Sequence, residues 1–176
     1  VCDLARLLRA TLRQAGVEGE SLAAAVVVLD TGGLLVDDRE IAEPHKRDFA
    51  WPAALAAAHG LGPGSRRDLD AVVRAVRPTV LVGVSGQPGM FTEPVVRALA
   101  EGVERPVVLA MSNPTSKAEA RPADVIRWTG GRALVATGSP FKPKRLATPL
   151  DKIVRHAASG KRSFPRPTEK RGRYVT

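Results

Sequence analysis

The sequence predicts an α/β fold built around a parallel β-sheet, and two observations support this prediction. Four segments rich in Val, Ala and Leu run without polar alternation, which is typical of strands that are covered on both faces. Along the chain these segments alternate with stretches whose apolar residues recur at helical spacing. Such alternation predicts parallel βαβ units. The length of 176 residues corresponds to one domain or to part of one.

The amino-terminal part of the chain predicts one helix and then the first strand. Residues 3–15 have leucines at helical spacing, and glycines follow where the helix would end. Residues 23–30, with the sequence AAAVVVLD, predict a strand that ends at Asp30. Two further helices are predicted at 48–58 and 68–76.

The second half of the chain predicts three more strands separated by helices. The strands are expected at 79–86, 106–113 and 132–141, because each of these segments is a continuous apolar run. Helices are expected at 93–103, and in part of 117–128. The four strands together would form one parallel sheet.

Each predicted strand ends in small polar residues. The carboxyl ends of parallel strands meet at one edge of a sheet, where doubly wound folds bind their ligands. The sequence therefore predicts a ligand crevice, although loops that are polar and small for no functional reason remain the alternative. The four endings are Asp30-Thr31-Gly32, Ser85-Gly86, Ser112-Asn113-Pro114 and Thr137-Gly138-Ser139.

Asp30 and Asn113 are the side chains of this edge with the clearest binding chemistry. An acid at a strand end can accept hydrogen bonds from an adenosine ribose and would repel a 2′-phosphate, which favours NAD over NADP. Asp30 is equally compatible with an Asp that begins a turn. Asn113 offers a donor and an acceptor, and Pro114 keeps its backbone out of helical geometry. A capping role in a turn is the alternative for Asn113.

Ser85 lies in the segment GVSGQPG, which lacks the spacing of a serine nucleophile elbow. We expect its backbone to approach a cofactor, because Gly86 has no Cβ to prevent this. His45, His59 and His156 lie in unrelated segments without metal-site spacing. The sequence therefore assigns no catalytic residue and no metal ligand.

A dinucleotide-binding fold would also need a G-x-G-x-x-G loop, and the sequence contains none. We expect that loop and its strand to lie upstream of Val1. The predicted fold is thus a partial Rossmann-like sheet over residues 1–141, without its first strand.

Residues 142–176 differ in composition and are predicted to form a disordered basic tail. They carry 11 Lys and Arg against two acids, which accounts for the whole net charge of +9. Such a tail is too polar to bury a core. The change after Phe141 suggests a reading-frame change or a truncated gene. It also leaves open a non-catalytic module or gene remnant whose tail binds nucleic acid or an anionic surface. Nucleic acid is not the expected partner, because no basic footprint spreads over the predicted fold.

The remaining features predict a cytoplasmic protein without a membrane partner. Cys2 is the single cysteine, so the chain cannot form an internal disulfide. The longest apolar run, Leu22 to Leu29, is far shorter than a membrane span, and residues 1–20 do not have the pattern of a secretory leader.

Three segments together resemble the NAD-binding domain of malic enzymes. The resemblance extends from Val1 to Phe141, and the helix at the start of the chain resembles the one that follows the glycine-rich loop of that family. The segments are VVVLDTGGLLVDDRE, VRPTVLVGVSGQPGMFTEPVVRALAEGVERPVVLAMSNPTSKAE and WTGGRALVATGSPF.

The resemblance implies an enzyme that oxidatively decarboxylates malate to pyruvate and CO₂ with NAD or NADP and with Mg²⁺ or Mn²⁺. It places Asp30 near the adenosine ribose, Thr31 among the cofactor-binding residues, and Val84, Ser85 and Gly86 along the cofactor. It places Asn113 near the nicotinamide and malate. The family's catalytic Tyr and Lys and its metal ligands would lie upstream, so catalysis by this chain alone is not implied. A homo-oligomer is expected for the full-length enzyme.

Overall fold

The structure is a computed structural model that describes residues 2–141, in which seven α-helices and five strands form. A short 3-10 helix, Thr115–Lys117, precedes the last α-helix. The helices are α1 (Cys2–Gln14), α2 (Gly19–Ala25), α3 (Pro44–Arg47), α4 (Ala53–Ala58), α5 (Leu69–Val76), α6 (Glu93–Gly102) and α7 (Pro122–Trp128). The strands are β1 (Leu29–Asp30), β2 (Gly33–Leu34), β3 (Val80–Gly83), β4 (Val107–Ala110) and β5 (Leu134–Thr137).

Three strands form a parallel sheet in the order β3-β4-β5. The register aligns Gly83 with Ala110 and Ala110 with Thr137, so all three strands end at the same level. Helices connect these strands, as parallel connections require. The prediction of parallel βαβ units is confirmed for this part of the chain.

A single apolar core holds this sheet to the helices α5, α6 and α7. Its most buried members are Val73 of α5, Val96 and Leu99 of α6, Val108 of β4 and Val125 of α7. Each is at most 1% exposed. The β-branched residues favour the strand, and the apolar stripe of each helix faces inward. The parallel sheet and these three helices therefore share one core.

The strand predicted at 23–30 is wrong over most of its length. Ala23, Ala24 and Ala25 belong to α2, and only Leu29 and Asp30 form a strand. That strand, β1, pairs antiparallel with β2 in a separate hairpin, so the described parallel sheet has three strands and not four. An uninterrupted apolar run does not distinguish a buried helix from a buried strand, and alanine has the highest helix propensity.

The hairpin packs against the region around Trp51, whose side chain is fully buried. Its indole N–H donates to the carbonyl of Ala23 at 2.9 Å, and its backbone pairs with Val36. This region also contains α3, which the sequence patterns did not predict, and α4, which covers only the second half of the helix predicted at 48–58 because it begins directly after Pro52. These contacts connect the end of α2 and the hairpin to α4.

In α1, Ala5 is buried whereas Leu4, Leu7 and Leu8 are exposed. Within residues 2–141, no helix is both long enough and apolar enough to cross a membrane. The predicted basic tail, residues 142–176, lies outside the described residues, and its boundary at Phe141 stays a prediction.

Candidate functional site

The turns that follow β3, β4 and β5 form one edge of the parallel sheet. We call this edge, made of residues 84–87, 111–114 and 138–139, the strand-end edge. Val84 and Met111 are 38% and 39% exposed there, which is unusual for large apolar side chains in a parallel sheet. The register of the strands therefore brings the predicted residues Val84, Ser85, Gly86 and Asn113 to one edge.

Glu119 lies behind the strand-end edge and has no exposed surface. Its Oε1 atom accepts hydrogen bonds from the backbone N–H and the hydroxyl of Ser85, at 2.8 and 2.9 Å. The same oxygen accepts the hydroxyl of Ser112 at 2.5 Å, and Oε2 accepts the N–H of Ser112 at 3.4 Å. One carboxylate thus joins the turn after β3 to the turn after β4.

The two serine hydroxyls extend these contacts to the backbone of the first turn. The Oγ atom of Ser112 accepts the N–H of Gly86 at 2.9 Å, and the Oγ atom of Ser85 accepts the N–H of Gln87 at 3.2 Å. Gly86 has a φ of 68°, a left-handed conformation that glycine adopts without strain. The conformation of residues 85–87 is therefore fixed by side chains attached to β4 and to Glu119.

Glu119 is ionised at neutral pH. Burial by itself would raise the pKa of this carboxyl, but the hydrogen bonds from Ser112 and Ser85 outweigh burial and hold the pKa below its usual value. Within residues 2–141, no Lys, Arg or His side chain forms an ion pair with it. Hydrogen-bond donors alone stabilise this buried charge.

Asn113 is exposed at the strand-end edge, and its peptide bond to Pro114 is cis. Its side-chain oxygen accepts a hydrogen bond from the hydroxyl of Ser139, in the turn after β5. Its amide nitrogen makes no hydrogen bond within the described residues. The neighbouring Gly138 lies so close that a Cβ there would come within 2.1 Å of the Met111 carbonyl oxygen. The turns after β4 and β5 are thus in direct contact.

Asp30 ends β1 and therefore belongs to the hairpin and not to the parallel sheet. Its Oδ1 atom accepts the N–H of Gly32 at 2.8 Å and the guanidinium of Arg39 at 2.9 Å. Its Oδ2 atom accepts the ammonium of Lys46 at 3.3 Å. Burial would raise the pKa of Asp30, and these hydrogen bonds more than offset burial, so the pKa is lowered. Thr31 follows in the turn and is exposed.

The bond from Gly32 is the contact expected of an Asp that begins a turn, so the turn role of Asp30 is observed. The ligand role of Asp30 stays a prediction. The sequence predicts Asp30 and Asn113 at the ends of strands in one sheet. In the structure Asp30 ends a strand of the hairpin, whereas Asn113 lies in the turn after β4 of the parallel sheet.

Arg39 also borders a cavity of about 300 Å³ on the hairpin side of the molecule. The cavity contains both acids and cations, and its lining does not include the strand-end edge. It is lined by Asp37, Arg39, Glu40, Ile41, Arg47 and Ala50.

Among residues 2–141, no group of three or more His, Cys, Asp or Glu side chains is arranged to hold a metal ion. The side chains of this part of the chain therefore do not fit a Mg²⁺ or Mn²⁺ site.

The sequence patterns do not indicate two features of this edge, which are Glu119 and the inward position of Ser112. Glu119 lies in the segment that was assigned to a helix, and an isolated Glu in a polar stretch ordinarily faces solvent. The available signal was Gly83, where a Cβ would lie 2.5 Å from the Glu119 Cδ atom. A glycine at the end of an apolar strand indicates a close approach by another group.

The sequence of the chain is similar to those of known proteins. The family model described as malic enzyme, NAD binding domain, matches residues 2–156. NAD-dependent malic enzymes of Acinetobacter baylyi, Shewanella frigidimarina and Photorhabdus laumondii are 45%, 42% and 42% identical over 142 residues. Each alignment covers 81% of this chain, and the chain spans 25% of the length of each relative. The chain belongs to the malic enzyme family, and the part of that family which it matches is the NAD-binding domain.

Proposed function

We propose that this chain binds NAD along the strand-end edge and, within a full-length malic enzyme, serves the oxidative decarboxylation of malate to pyruvate and CO₂. One observation carries the proposal. β3, β4 and β5 end in register, so three turns with exposed backbone and small side chains share one edge. This is the edge at which open parallel sheets bind nucleotides.

The turn after β3 suits the approach of a cofactor. No atom lies within 4 Å of the position that a Cβ would occupy at Gly86, so the backbone there borders open space. Val84 adds an exposed apolar surface next to this turn. A planar ring or a ribose can pack against such a surface while the Glu119 contacts keep the turn in place.

At the turn after β4, the side chain of Asn113 can orient a bound ligand. Because its side-chain oxygen already accepts the Ser139 hydroxyl, its NH₂ group is the part that faces a ligand. We propose that this group donates a hydrogen bond to the nicotinamide amide or to a malate carboxylate. When bound, NAD supplies the acceptor for the hydride, and Asn113 orients the partners of that transfer.

Asp30, with Thr31 beside it, is proposed to receive the adenosine ribose. An ionised carboxylate has about four lone-pair positions, and Gly32, Arg39 and Lys46 use three of them. One acceptor position therefore remains for a ribose hydroxyl. The names of the relatives support NAD, whereas Arg39 and Lys46 are cations that a 2′-phosphate could contact, so NADP is the competing cofactor to test.

The ligands of a divalent metal ion would come from outside residues 2–141, because the side chains of these residues do not form a metal site. Assembly as a homo-oligomer and a cytoplasmic location belong to the same proposal.

Calorimetric titration of the full 176-residue chain with NAD tests the proposal. We expect saturable binding that Asn113→Ala weakens by about two- to tenfold, the effect of losing one hydrogen bond. Gln14→Ala is the matched control, because it removes an exposed amide from α1, far along the chain from the edge. An absence of saturable binding by the wild-type chain, or equal Kd values for wild type and Asn113→Ala, would overturn the proposal.

A further inference from the structure

We infer that Glu119 is a positioning residue for the cofactor: its carboxylate holds the turns after β3 and β4 in the arrangement that binds NAD, and protonation of Glu119 releases them. This inference rests on the proposed function. It adds a residue that touches no ligand and controls two turns that are proposed to do so.

The direction of each hydrogen bond follows from the chemistry of a carboxylate. An ionised carboxylate only accepts hydrogen bonds, so both serine hydroxyls must donate to Glu119. Their lone pairs then face the backbone N–H groups of Gly86 and Gln87. A protonated or amidated side chain could itself donate, and the hydroxyls would no longer be forced into these directions.

The residues around Glu119 leave space for its side chain. Gly83 leaves room for the side chain, since a Cβ there would lie 2.5 Å from the Glu119 Cδ atom and 2.7 Å from the Phe91 ring. The hydrogen-bond partners of the carboxylate within residues 2–141 are Ser85 and Ser112, and no basic side chain of these residues forms an ion pair with it. Lys117 and Arg121, the nearest bases in the sequence, are both exposed.

The pKa of Glu119 supports the same conclusion. Since its pKa is lowered in the folded chain, the ionised form is favoured by folding. The contacts are therefore complete near neutral pH and are lost as the pH falls through the folded pKa. NAD affinity would fall with them, without a requirement that the whole chain unfold.

The experiment compares the full wild-type chain with Glu119→Gln in two measurements. The first is the pair of amide signals of Gly86 and Gln87 in NMR spectra, and the second is the Kd for NAD by calorimetry. We expect Glu119→Gln to shift both signals and to raise the Kd by about tenfold. Glu104→Gln, which alters an exposed side chain, is the control and should change neither.

A pH series separates positioning from a general effect on folding. While circular dichroism shows both proteins folded, the ratio of the Glu119→Gln Kd to the wild-type Kd should stay constant near neutral pH. It should fall toward one as the pH falls below about 4.3 and Glu119 of the wild type becomes protonated. Unchanged amide signals and an unchanged Kd in Glu119→Gln would overturn the inference while NAD binding by the wild type stands. An absence of NAD binding by the wild-type chain would overturn the proposed function and this inference with it.

If Glu119→Gln does not fold, Ser112→Ala decides the matter. This variant keeps the carboxylate and removes only the hydroxyl between Glu119 and Gly86. We expect a shifted Gly86 signal and a raised Kd, and a Kd equal to that of the wild type would overturn the inference.

Discussion

Ser85 donates both its backbone N–H and its hydroxyl to one oxygen of Glu119, at 2.8 and 2.9 Å, although the two residues are 34 positions apart. Ser85 is a residue for which the sequence predicts a place in a cofactor site, and Glu119 accepts the hydrogen bonds that hold it in position. The conformation of the strand-end edge thus depends on a buried charge behind it. This arrangement makes the stability of the edge sensitive to the protonation of one group.

Replacement of that group should change the pH dependence of unfolding. In Glu119→Gln, an NH₂ group would replace one oxygen, and one of the four donors around the carboxylate would face another donor. Near neutral pH we expect the free energy of unfolding to fall by about 1–3 kcal/mol.

The sign of the pH effect follows from the lowered pKa. Stability from Glu119 is present above the unfolded-state pKa, about 4.3, and is lost as the pH falls through the folded pKa. The difference in unfolding free energy between wild type and Glu119→Gln should therefore shrink in acid. Urea unfolding at a series of pH values measures it, and a constant difference would contradict the prediction.

Gly138 should not tolerate a side chain. A Cβ at this position would lie 2.1 Å from the Met111 carbonyl oxygen and 2.8 Å from the Asn113 side-chain oxygen. Because the nearest atom belongs to the backbone, no change of rotamer relieves the contact. Gly138→Ala should lower the free energy of unfolding by about 1–3 kcal/mol and weaken NAD binding.

Gly62→Ala is the matched control for this prediction. Its Cβ would meet only Ala57 at 3.6 Å, an ordinary contact. The control should leave stability unchanged or raise it slightly, since alanine reduces the entropy of the unfolded chain. Equal melting temperatures of the two variants would show that the turns after β4 and β5 are not in tight contact.

The sequence predicted the parallel strands and the edge where they end, because both depend on local patterns. The segments that became β3, β4 and β5 are short apolar runs between turns, and their small polar endings identified Ser85, Gly86 and Asn113 as neighbours. The fold is confirmed, and so is the shared edge for three of the four predicted strand ends; the fourth, at Asp30, belongs to the separate hairpin. The binding roles of the residues remain predictions.

The errors and omissions arise where tertiary contacts decide the structure. Ala23–Ala25 are apolar and lie in α2, where Ala23 and Ala24 are half-buried and Ala25 is exposed, although their pattern alone permits a strand. Glu119 is buried because Gly83 leaves space for it and because Ser85 and Ser112 satisfy it. No local property of the segment that contains Glu119 indicates those partners.

Arg132 should stabilise the carboxyl end of α6. Its guanidinium donates to the carbonyl oxygens of Ala100, Val103 and Glu104, at 3.1, 3.2 and 3.0 Å. Ala100 lies in the last turn of α6, at the negative end of the helix dipole, and Val103 and Glu104 directly follow the helix. Arg132→Ala should lower the free energy of unfolding by about 1–2 kcal/mol.

Thermal unfolding followed by circular dichroism measures this loss. Lysine at this position should restore only part of it, because an ammonium group cannot contact three carbonyls in the planar geometry of a guanidinium. Arg105→Ala removes an exposed arginine from the neighbouring turn and should have little effect. A full recovery of stability in Arg132→Lys would show that charge alone accounts for the contribution.

Asp30 should determine which dinucleotide the chain prefers. Its carboxylate pairs with Arg39 and Lys46 and would repel a 2′-phosphate. In Asp30→Ala the two cations lose their partner, and the acceptor for the ribose is lost. NAD should therefore bind more weakly while NADP gains two cationic contacts, so the ratio of the NAD Kd to the NADP Kd should rise by about tenfold.

Calorimetric titration with each dinucleotide measures the ratio. Asp70→Ala, which breaks an ion pair with Arg74 on α5, is the control and should leave the ratio unchanged. If Asp30→Ala also leaves it unchanged, Asp30 serves the turn and not the cofactor.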